Sequence, residues 1–342
     1  MSSEVIVYRY DGSPFATKVE NILALRNIPY SRVNVPVVPP RSALLELGIP
    51  YRRIPVVAIG NDVYCDTYMI TTALERAFPP SQKHPSIFSV RKDGAKSDAV
   101  LQARYSQTYA ESQLFSFGKD TLPWTKVPLA LAQDRFGTMV GGAPPPASYF
   151  EKLEARAPIA RSGVTTHLDY LEEQLSDGRE WLFDTVSASY ADAATHMPLA
   201  WMRTFKTMRE VFDKNLFPNV IAWLDRFDAL LKEQKKTTKF TNIEASEALQ
   251  RVGGSKLKLN VDSLIGFDET EAKRLSLTRG MHVDVTPSDT AKVPTSGKLV
   301  GLNRREIVVQ VESSKGATLA VHFPRLGYVV RAHADKAAKS KL

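Results

Sequence analysis

Apolar positions along this chain switch between a period of two, a helical period and short unbroken runs, and each switch marks an element. Val5-Ile6-Val7-Tyr8-Arg9-Tyr10 is a β-branched and aromatic run bounded by Asp11-Gly12, the composition of a buried strand. Phe15, Val19, Ile22, Leu23 and Ile28 then recur at helical spacing up to Asn27-Ile28-Pro29, which predicts an amphipathic helix. Gly12 permits the sharp turn between the two, Ser13 is a good N-cap, and Pro14 suits the first helical position. Residues 31–35 read as a second strand, 36–40 as a proline-rich loop and 42–47 as a short helix. Residues 53–59 form an apolar strand with Pro55 near its start, Gly60-Asn61-Asp62 turns it into Val63-Tyr64-Cys65, and a helix over 67–78 ends at Pro79-Pro80.

From residue 89 to 236 the period is predominantly helical, clearest over 99–117 and 162–175. Ser189-Tyr190-Ala191-Asp192 is a capping box before an apolar helix through Trp201. Between 118 and 146 lies an insert rich in Pro and Gly, and Gly141-Gly142-Ala143-Pro144-Pro145-Pro146 reads as a loop. After a helix over 268–275, residues 281–285, 298–302, 306–311, 317–323 and 328–331 alternate like five short strands, enough for a small barrel or curled sheet. The pattern predicts a multi-domain α/β chain: an α/β domain over 1–82, an all-helical domain over 89–245, a small β-barrel-like domain over 255–332 docked on the helical one, and a flexible tail over 333–342.

Composition narrows the function. The 342 residues are 43% apolar and 24% charged, ordinary globular values. No signal peptide and no long apolar run is present, so a soluble, non-secreted chain without a membrane partner is expected. Cys65 is the only cysteine, which excludes an internal disulfide and a Cys-x-x-Cys pair. The six histidines are scattered without ligand spacing, so no metal is expected. Walker, Gly-x-Gly-x-x-Gly and Gly-x-Ser-x-Gly patterns are missing. Net charge is +8, and residues 246–342 hold 16 Lys and Arg against 10 Asp and Glu. These charges are dispersed, so they read as a solvated surface, and no nucleic-acid partner is expected.

The chemistry-bearing positions lie where strands hand over to helices. Ser13 sits where free backbone N–H groups and the positive end of a helix dipole would face an anion, though the same residue also makes an ordinary cap. Asp66-Thr67 is a second such helix start. Pro55 cannot donate to a sheet ladder, so it belongs at an edge, a strand start or a cis bond. Together these motifs resemble the N-terminal, thioredoxin-like domain of the glutathione transferase superfamily, over roughly residues 4–80. Ser-Pro-Phe-Ala at 13–16 is similar to the active-site turn of the zeta and omega classes, with Ser13 facing the glutathione sulfur and Phe15 beside it. Ile54-Pro55 is similar to the family's cis-proline, with Ile54 pairing through its backbone to the cysteinyl part. Asp66-Thr67 stands where the family grips the γ-glutamyl group. The Ser189 capping box and the segment 217–227 resemble the family's helical domain, while the last hundred residues have no counterpart in it.

The resemblance implies a transferase with glutathione as co-substrate and no metal. It would conjugate the glutathione thiolate to a small hydrophobic electrophile or use it for isomerisation. A thiol of pKa near ~8.5 must be lowered by about 2 units, which takes roughly 2.7 kcal/mol of preferential thiolate stabilisation. Ser13 is the expected hydrogen-bond donor, with Tyr8 and Tyr10 as rivals. Tyr105, Tyr109 and Phe115 are candidates for the electrophile's wall, and Arg53, Arg41 or Arg52 for the cation on the glycyl carboxylate. Cys65 reads as a buried small side chain. The family also implies a homodimer. The last three residues, Ser340-Lys341-Leu342, spell a peroxisomal import address read by a receptor, so a peroxisomal location is expected, and a cytoplasmic one otherwise. The competing class is a non-catalytic binding or assembly module whose C-terminal β domain is the working part.

Overall fold

The computed structural model describes residues 4–94, 97–138, 143–255, 260–289 and 291–334. Ser340, Lys341 and Leu342 therefore lie outside the described residues, as do Gly141 and Gly142 of the expected loop. The chain opens with β1 (Val5–Arg9), α1 (Pro14–Leu25), β2 (Tyr30–Asn34), α2 (Ser42–Glu46), β3 (Val56–Ile59), β4 (Asp62–Cys65) and α3 (Thr67–Ala77). β1 runs parallel to β2 and antiparallel to β3, and β3 and β4 form an antiparallel hairpin. This is the thioredoxin-like arrangement that the sequence predicts, and Ile54-Pro55 is cis.

β1 is buried on both faces. Val5 and Val7 point into a core shared with α1, α3 and the helical part of the chain. Ile6 and Tyr8 point into a second core with Val33, Leu44 and Val56. A strand covered on both sides needs apolar residues at every position, which is why the run from Val5 to Tyr8 shows no alternation.

The helical part begins with α4 (Ala99–Tyr105), widens into a π-helical stretch (Ser106–Leu114) and continues as α5 (Phe115–Asp120). The insert folds as α6 (Leu129–Gln133) and a second π stretch (Asp134–Thr138), and with α7 (Ala147–Glu154), which follows it, it packs around a small core of Trp124, Ala132 and Phe150. α8 (Ala157–Leu175), α9 (Tyr190–Arg203) and α10 (Pro218–Thr237) complete the bundle. The expected capping box is formed at α9: Asp192 Oδ2 accepts from the Ser189 backbone N–H at 2.9 Å and from its hydroxyl at 2.6 Å. Among the described residues no helix is long and apolar enough to cross a membrane.

After α10 the chain returns to the sheet. β5 (Phe240–Asn242) pairs with β2, and α11 (Ala245–Gly253), α12 (Val261–Leu264) and α13 (Glu269–Arg274) lead to β6 (His282–Pro287), β7 (Thr295–Leu302), β8 (Glu306–Glu312), β9 (Thr318–Pro324) and β10 (Tyr328–Ala332). The strand order is β10-β6-β7-β8-β9-β4-β3-β1-β2-β5 in one ten-stranded sheet. β9 and β10 stand on opposite edges of their five-strand group, yet only three residues join them. The group must therefore curl until the end of β9 comes near the start of β10, where the Phe323 and Tyr328 rings are 5.5 Å apart.

Here the structure corrects one expectation. The β module docks on the thioredoxin-like part and not on the helical domain. β9 pairs in parallel with β4, matching Asp62 with Ala320, Val63 with Val321 and Tyr64 with His322. An edge strand presents a row of unpaired N–H and C=O groups, and β4 offered such an edge where a helical bundle offers none. The seam is also charged inside. Fully buried His322 bonds Glu306 at 2.7 Å through Nδ1 and Asp62 at 3.0 Å through Nε2, and Arg76 of α3 reaches Glu306 at 2.8 Å. Burial works against a charged His322, but the bonds to Asp62 and Glu306 outweigh it and hold its pKa above the ordinary value.

Candidate functional site

The sheet register assembles the site. Tyr8 of β1 faces Val56 of β3, and Val56 faces Cys65 of β4, so these three form a row across the sheet. One step beyond that row stand Pro55 and Asp66, while β1 runs on into the turn at 11–13. Three segments far apart in sequence are thereby brought to one end of one sheet.

Ser13 is the N-cap of α1, with Pro14 at the first helical position. Its oxygen accepts from the Ala16 backbone N–H at 3.3 Å, and its hydroxyl proton goes to no described residue. Ser13 is only 2% exposed, so an anion meeting it would be desolvated, and the helix dipole would act at close range.

Asp66 caps α3, accepting from the Tyr68 backbone N–H at 2.9 Å. It holds a positive φ of 82°, a conformation costly for a non-glycine residue and often found where a site demands it. Burial, then the nearby Glu111 charge, raise its carboxyl to about 6. Lys18 and Arg53 partly offset that rise. Thr67, at the first position of α3, leaves its backbone N–H without a partner inside the helix. Its hydroxyl accepts from Lys18 Nζ at 2.7 Å and donates to Glu111 Oε2 at 3.0 Å. Lys18 pairs with Glu111 Oε1 at 2.5 Å, and Tyr190 donates to the same oxygen at 3.2 Å. Lys18 is fully buried. This cluster ties α1 and α3 to the π stretch of the helical domain and to α9.

The three candidate cations are differently engaged. Arg41 is buried and donates to the carbonyls of Pro36, Val37 and Arg52. It staples the proline loop, and burial lowers its pKa to about 10. Arg53 pairs with Asp289, which lies between β6 and β7. Arg52 pairs with Asp134 of the insert at 2.6 Å, and its buried Nε has no partner. Next to Asp134, Arg135 donates to the Tyr10 hydroxyl at 3.1 Å and to the Val37 carbonyl at 3.3 Å. The insert thus leans on the turn that leads to Ser13.

Of the aromatic candidates, only Phe115 faces the turn. Its ring packs edge-on to Phe15 at 4.8 Å and stacks on Trp201 at 5.4 Å, and all three are half-buried. Tyr105 and Tyr109 turn into the helical bundle instead. Tyr105 accepts from Thr195 at 3.4 Å and packs on Phe183, and the Tyr109 hydroxyl meets His167 Nδ1 at 3.2 Å. The π stretch begins just after Tyr105, so helical spacing counted along 99–117 does not keep these rings on the face of Phe115. Tyr8 points into the second core, which it shares with Ala16, Ile54 and Cys65, its phenol pushed up by burial. Cys65 is buried, and burial raises its thiol well above the usual range. Among the described residues no three His, Cys, Asp or Glu side chains gather as a metal would require.

Sequence reading missed Lys18, Glu111, Asp134, Arg135 and Trp201. Lys18 was detectable, since it lies three residues after Phe15 and four before Ile22 on the apolar stripe of α1. A lysine on such a face must find a buried partner. Asp134 and Arg135 gave no signal, because the insert has no periodicity that places it against another domain.

Residues 7–82 match the family described as glutathione S-transferase, N-terminal domain, and residues 143–236 match a domain of unknown function (DUF7962). The fold is similar to that of a solved GST-like protein from Pseudomonas syringae, at 23% identity and a TM-score of 0.69, over 97% of this chain and 100% of that one. Rice GST1, solved in complex with glutathione, is 17% identical with a TM-score of 0.48, over 74% of this chain and 96% of its own. The β-etherase LigF from Sphingobium sp. strain SYK-6 is 18% identical with a TM-score of 0.48, over 70% of this chain and 100% of its own. No curated protein sequence matches the chain significantly.

Proposed function

We propose that this chain, which belongs by its N-terminal domain to the glutathione transferase superfamily, binds glutathione at the end of its sheet and directs the thiolate at a small hydrophobic electrophile. The observation that carries the reading is the convergence of two helix N-termini, at Ser13 and at Asp66-Thr67, on either side of the cis Ile54-Pro55 bond. Ionised Asp66 takes the γ-glutamyl ammonium. The Thr67 backbone N–H and the α3 N-terminus take the α-carboxylate. The backbone of Ile54 pairs with the cysteinyl unit, and Ser13 donates its free hydroxyl proton to the sulfur. The thiolate then attacks an electrophile held against Phe15, Phe115 and Trp201, forming a carbon–sulfur bond as an epoxide C–O bond opens, a halide ion leaves or the π bond of an activated alkene breaks, or adding reversibly to such an alkene for an isomerisation. Ser13 acts as an electrophilic partner throughout and carries no covalent intermediate. The competing reading, a binding module without turnover, is favoured by the near-complete burial of Ser13.

The two readings separate on the bound thiol. Thiolate absorbance of glutathione bound to the protein, followed against pH, gives an apparent pKa about 2 units below the free thiol if Ser13 and the α1 dipole act as proposed. An unshifted thiol pKa with intact binding selects the module. Asp66→Ala weakens binding by roughly 1.5 to 3 kcal/mol, the cost of a charged hydrogen bond.

A further inference from the structure

The β module touches the candidate site at both of its recognition segments. On the segment before the cis bond, Asp289 pairs with Arg53, and the Tyr328 hydroxyl bonds the Tyr51 hydroxyl at 2.5 Å, with Phe323 packed against the same Tyr51 ring at 6.2 Å. On the strand that delivers Asp66, β9 pairs along β4, and buried His322 bonds Asp62 and stacks on Tyr64 at 4.5 Å. α2 is gripped as well: the Ser314 backbone N–H bonds the Glu46 carbonyl at 2.8 Å. Gly48 approaches Glu312 so closely that a Cβ there would collide with its carbonyl oxygen.

We infer that the C-terminal β module is a built-in wall of the glutathione site: Asp289 holds the Arg53 guanidinium at the end of the sheet where Asp66 stands, and Asp289 and Tyr328 are positioning residues for the segments that bind the thiol peptide. The inference rests on the glutathione reading for its purpose but not for its geometry. Arg53 and Asp66 act on each other electrostatically, and Tyr51 and Tyr328 lie within the same field. Lys18 from α1 and Arg53 favour the Asp66 anion, while Glu111 disfavours it. Burial, and then the Asp66 charge among others, also acts on the Tyr51, Cys65, Tyr190 and Tyr328 side chains, which burial holds neutral. Arg53 is thus the charged group acting on Asp66 that the module holds directly. Asp289 itself is 56% exposed in its side chain and lies in a loop, so its replacement leaves the core untouched.

The test is made on the ligand-free full chain. The Asp66 carboxyl is followed by its infrared carboxylic-acid band between pH 4 and 8, assigned by its loss in Asp66→Asn. Asp289→Ala releases Arg53 to solvent, and the titration midpoint rises by about half to one pH unit, which is three- to tenfold in the protonation equilibrium. Asp289→Glu restores the wild-type midpoint, and Arg53→Met reproduces the rise. An Asp289→Ala midpoint equal to the wild type, or one that falls, overturns the inference. Calorimetry with glutathione on the wild type is run alongside. Failure to bind there removes the glutathione reading while the infrared result still decides the positioning claim.

Discussion

Breaking the Lys18–Glu111 pair should hurt more than deleting it. Lys18 Nζ lies 2.5 Å from Glu111 Oε1, with side-chain exposures of 0% and 11%. Removing one partner strands a charge without water, which costs about 3–5 kcal/mol. Lys18→Met leaves the Glu111 charge without its partner and still acting on half-buried Asp66. Glu111→Gln leaves a fully buried ammonium without its paired carboxylate, held by the neutral Thr67 and Tyr190 hydroxyls and an amide oxygen. The double variant keeps the shape and strands no charge, and the amide oxygen that Glu111→Gln introduces can still accept from Thr67 and Tyr190. Its loss should be about 1–2 kcal/mol, giving a coupling energy of at least ~4 kcal/mol. Urea unfolding, followed by circular dichroism and by tryptophan fluorescence, supplies the midpoints, and coincident transitions license their conversion to free energies. The single variants carry a second signature, since Glu111 raises the Asp66 pKa and Lys18 lowers it. On the proposed reading glutathione binding needs ionised Asp66, so its affinity should fall as pH drops through about 6. That acid limb should move down in Glu111→Gln and up in Lys18→Met. A double variant whose destabilisation equals the sum of the singles, or limbs that move in the same direction, would refute the reasoning.

Ser13→Ala should raise the pKa of the bound glutathione thiol by about one to two units and lower neutral-pH turnover with it, while calorimetric affinity stays near the wild type. Ser13→Cys should lose conjugation and form a mixed disulfide with glutathione, seen by mass spectrometry. His322 has a raised pKa in the folded state, so its network stabilises the fold fully below the unfolded value of about 6.5 and loses that contribution as pH rises through the folded value. His322→Gln should therefore show its largest stability deficit at acid pH, shrinking on the alkaline side; a deficit independent of pH would show that the histidine is not charged. Deleting Leu342 should leave a tagged chain with a free C-terminus folded but no longer imported into peroxisomes, and a full-length chain that never enters them makes Ser340-Lys341-Leu342 accidental.

The N-terminal half of the site was legible because strand-to-helix handovers leave local marks: Gly12, Ser13 and Pro14 at one, Asp66 and Thr67 at the other, and Pro55 between them. Their convergence was not legible from any one motif. It depends on the register that sets Tyr8, Val56 and Cys65 in one row. Periodicity along 99–117 found the helix but not its faces, because the π stretch after Tyr105 rotates later side chains relative to earlier ones. Alternation found the five C-terminal strands, yet nothing local says which foreign edge a strand joins. That β9 pairs with β4 is fixed by the unpaired edge of β4 and by the buried charges of His322, Asp62 and Glu306. Asp62 is separated from the other two by more than two hundred positions. Arg53 and Arg41 were readable as cations, but their partners Asp289 and the proline-loop carbonyls follow only from the tertiary structure.

The most direct measurement is a calorimetric titration of the full chain with reduced glutathione near pH 8, repeated on Asp66→Ala. Saturable binding of one glutathione per chain, weakened roughly ten- to hundredfold by the substitution, is the predicted result. No heat of binding to the wild type at millimolar glutathione, or an affinity unchanged in Asp66→Ala, would contradict the claim that the two helix starts at the end of the sheet form a glutathione site.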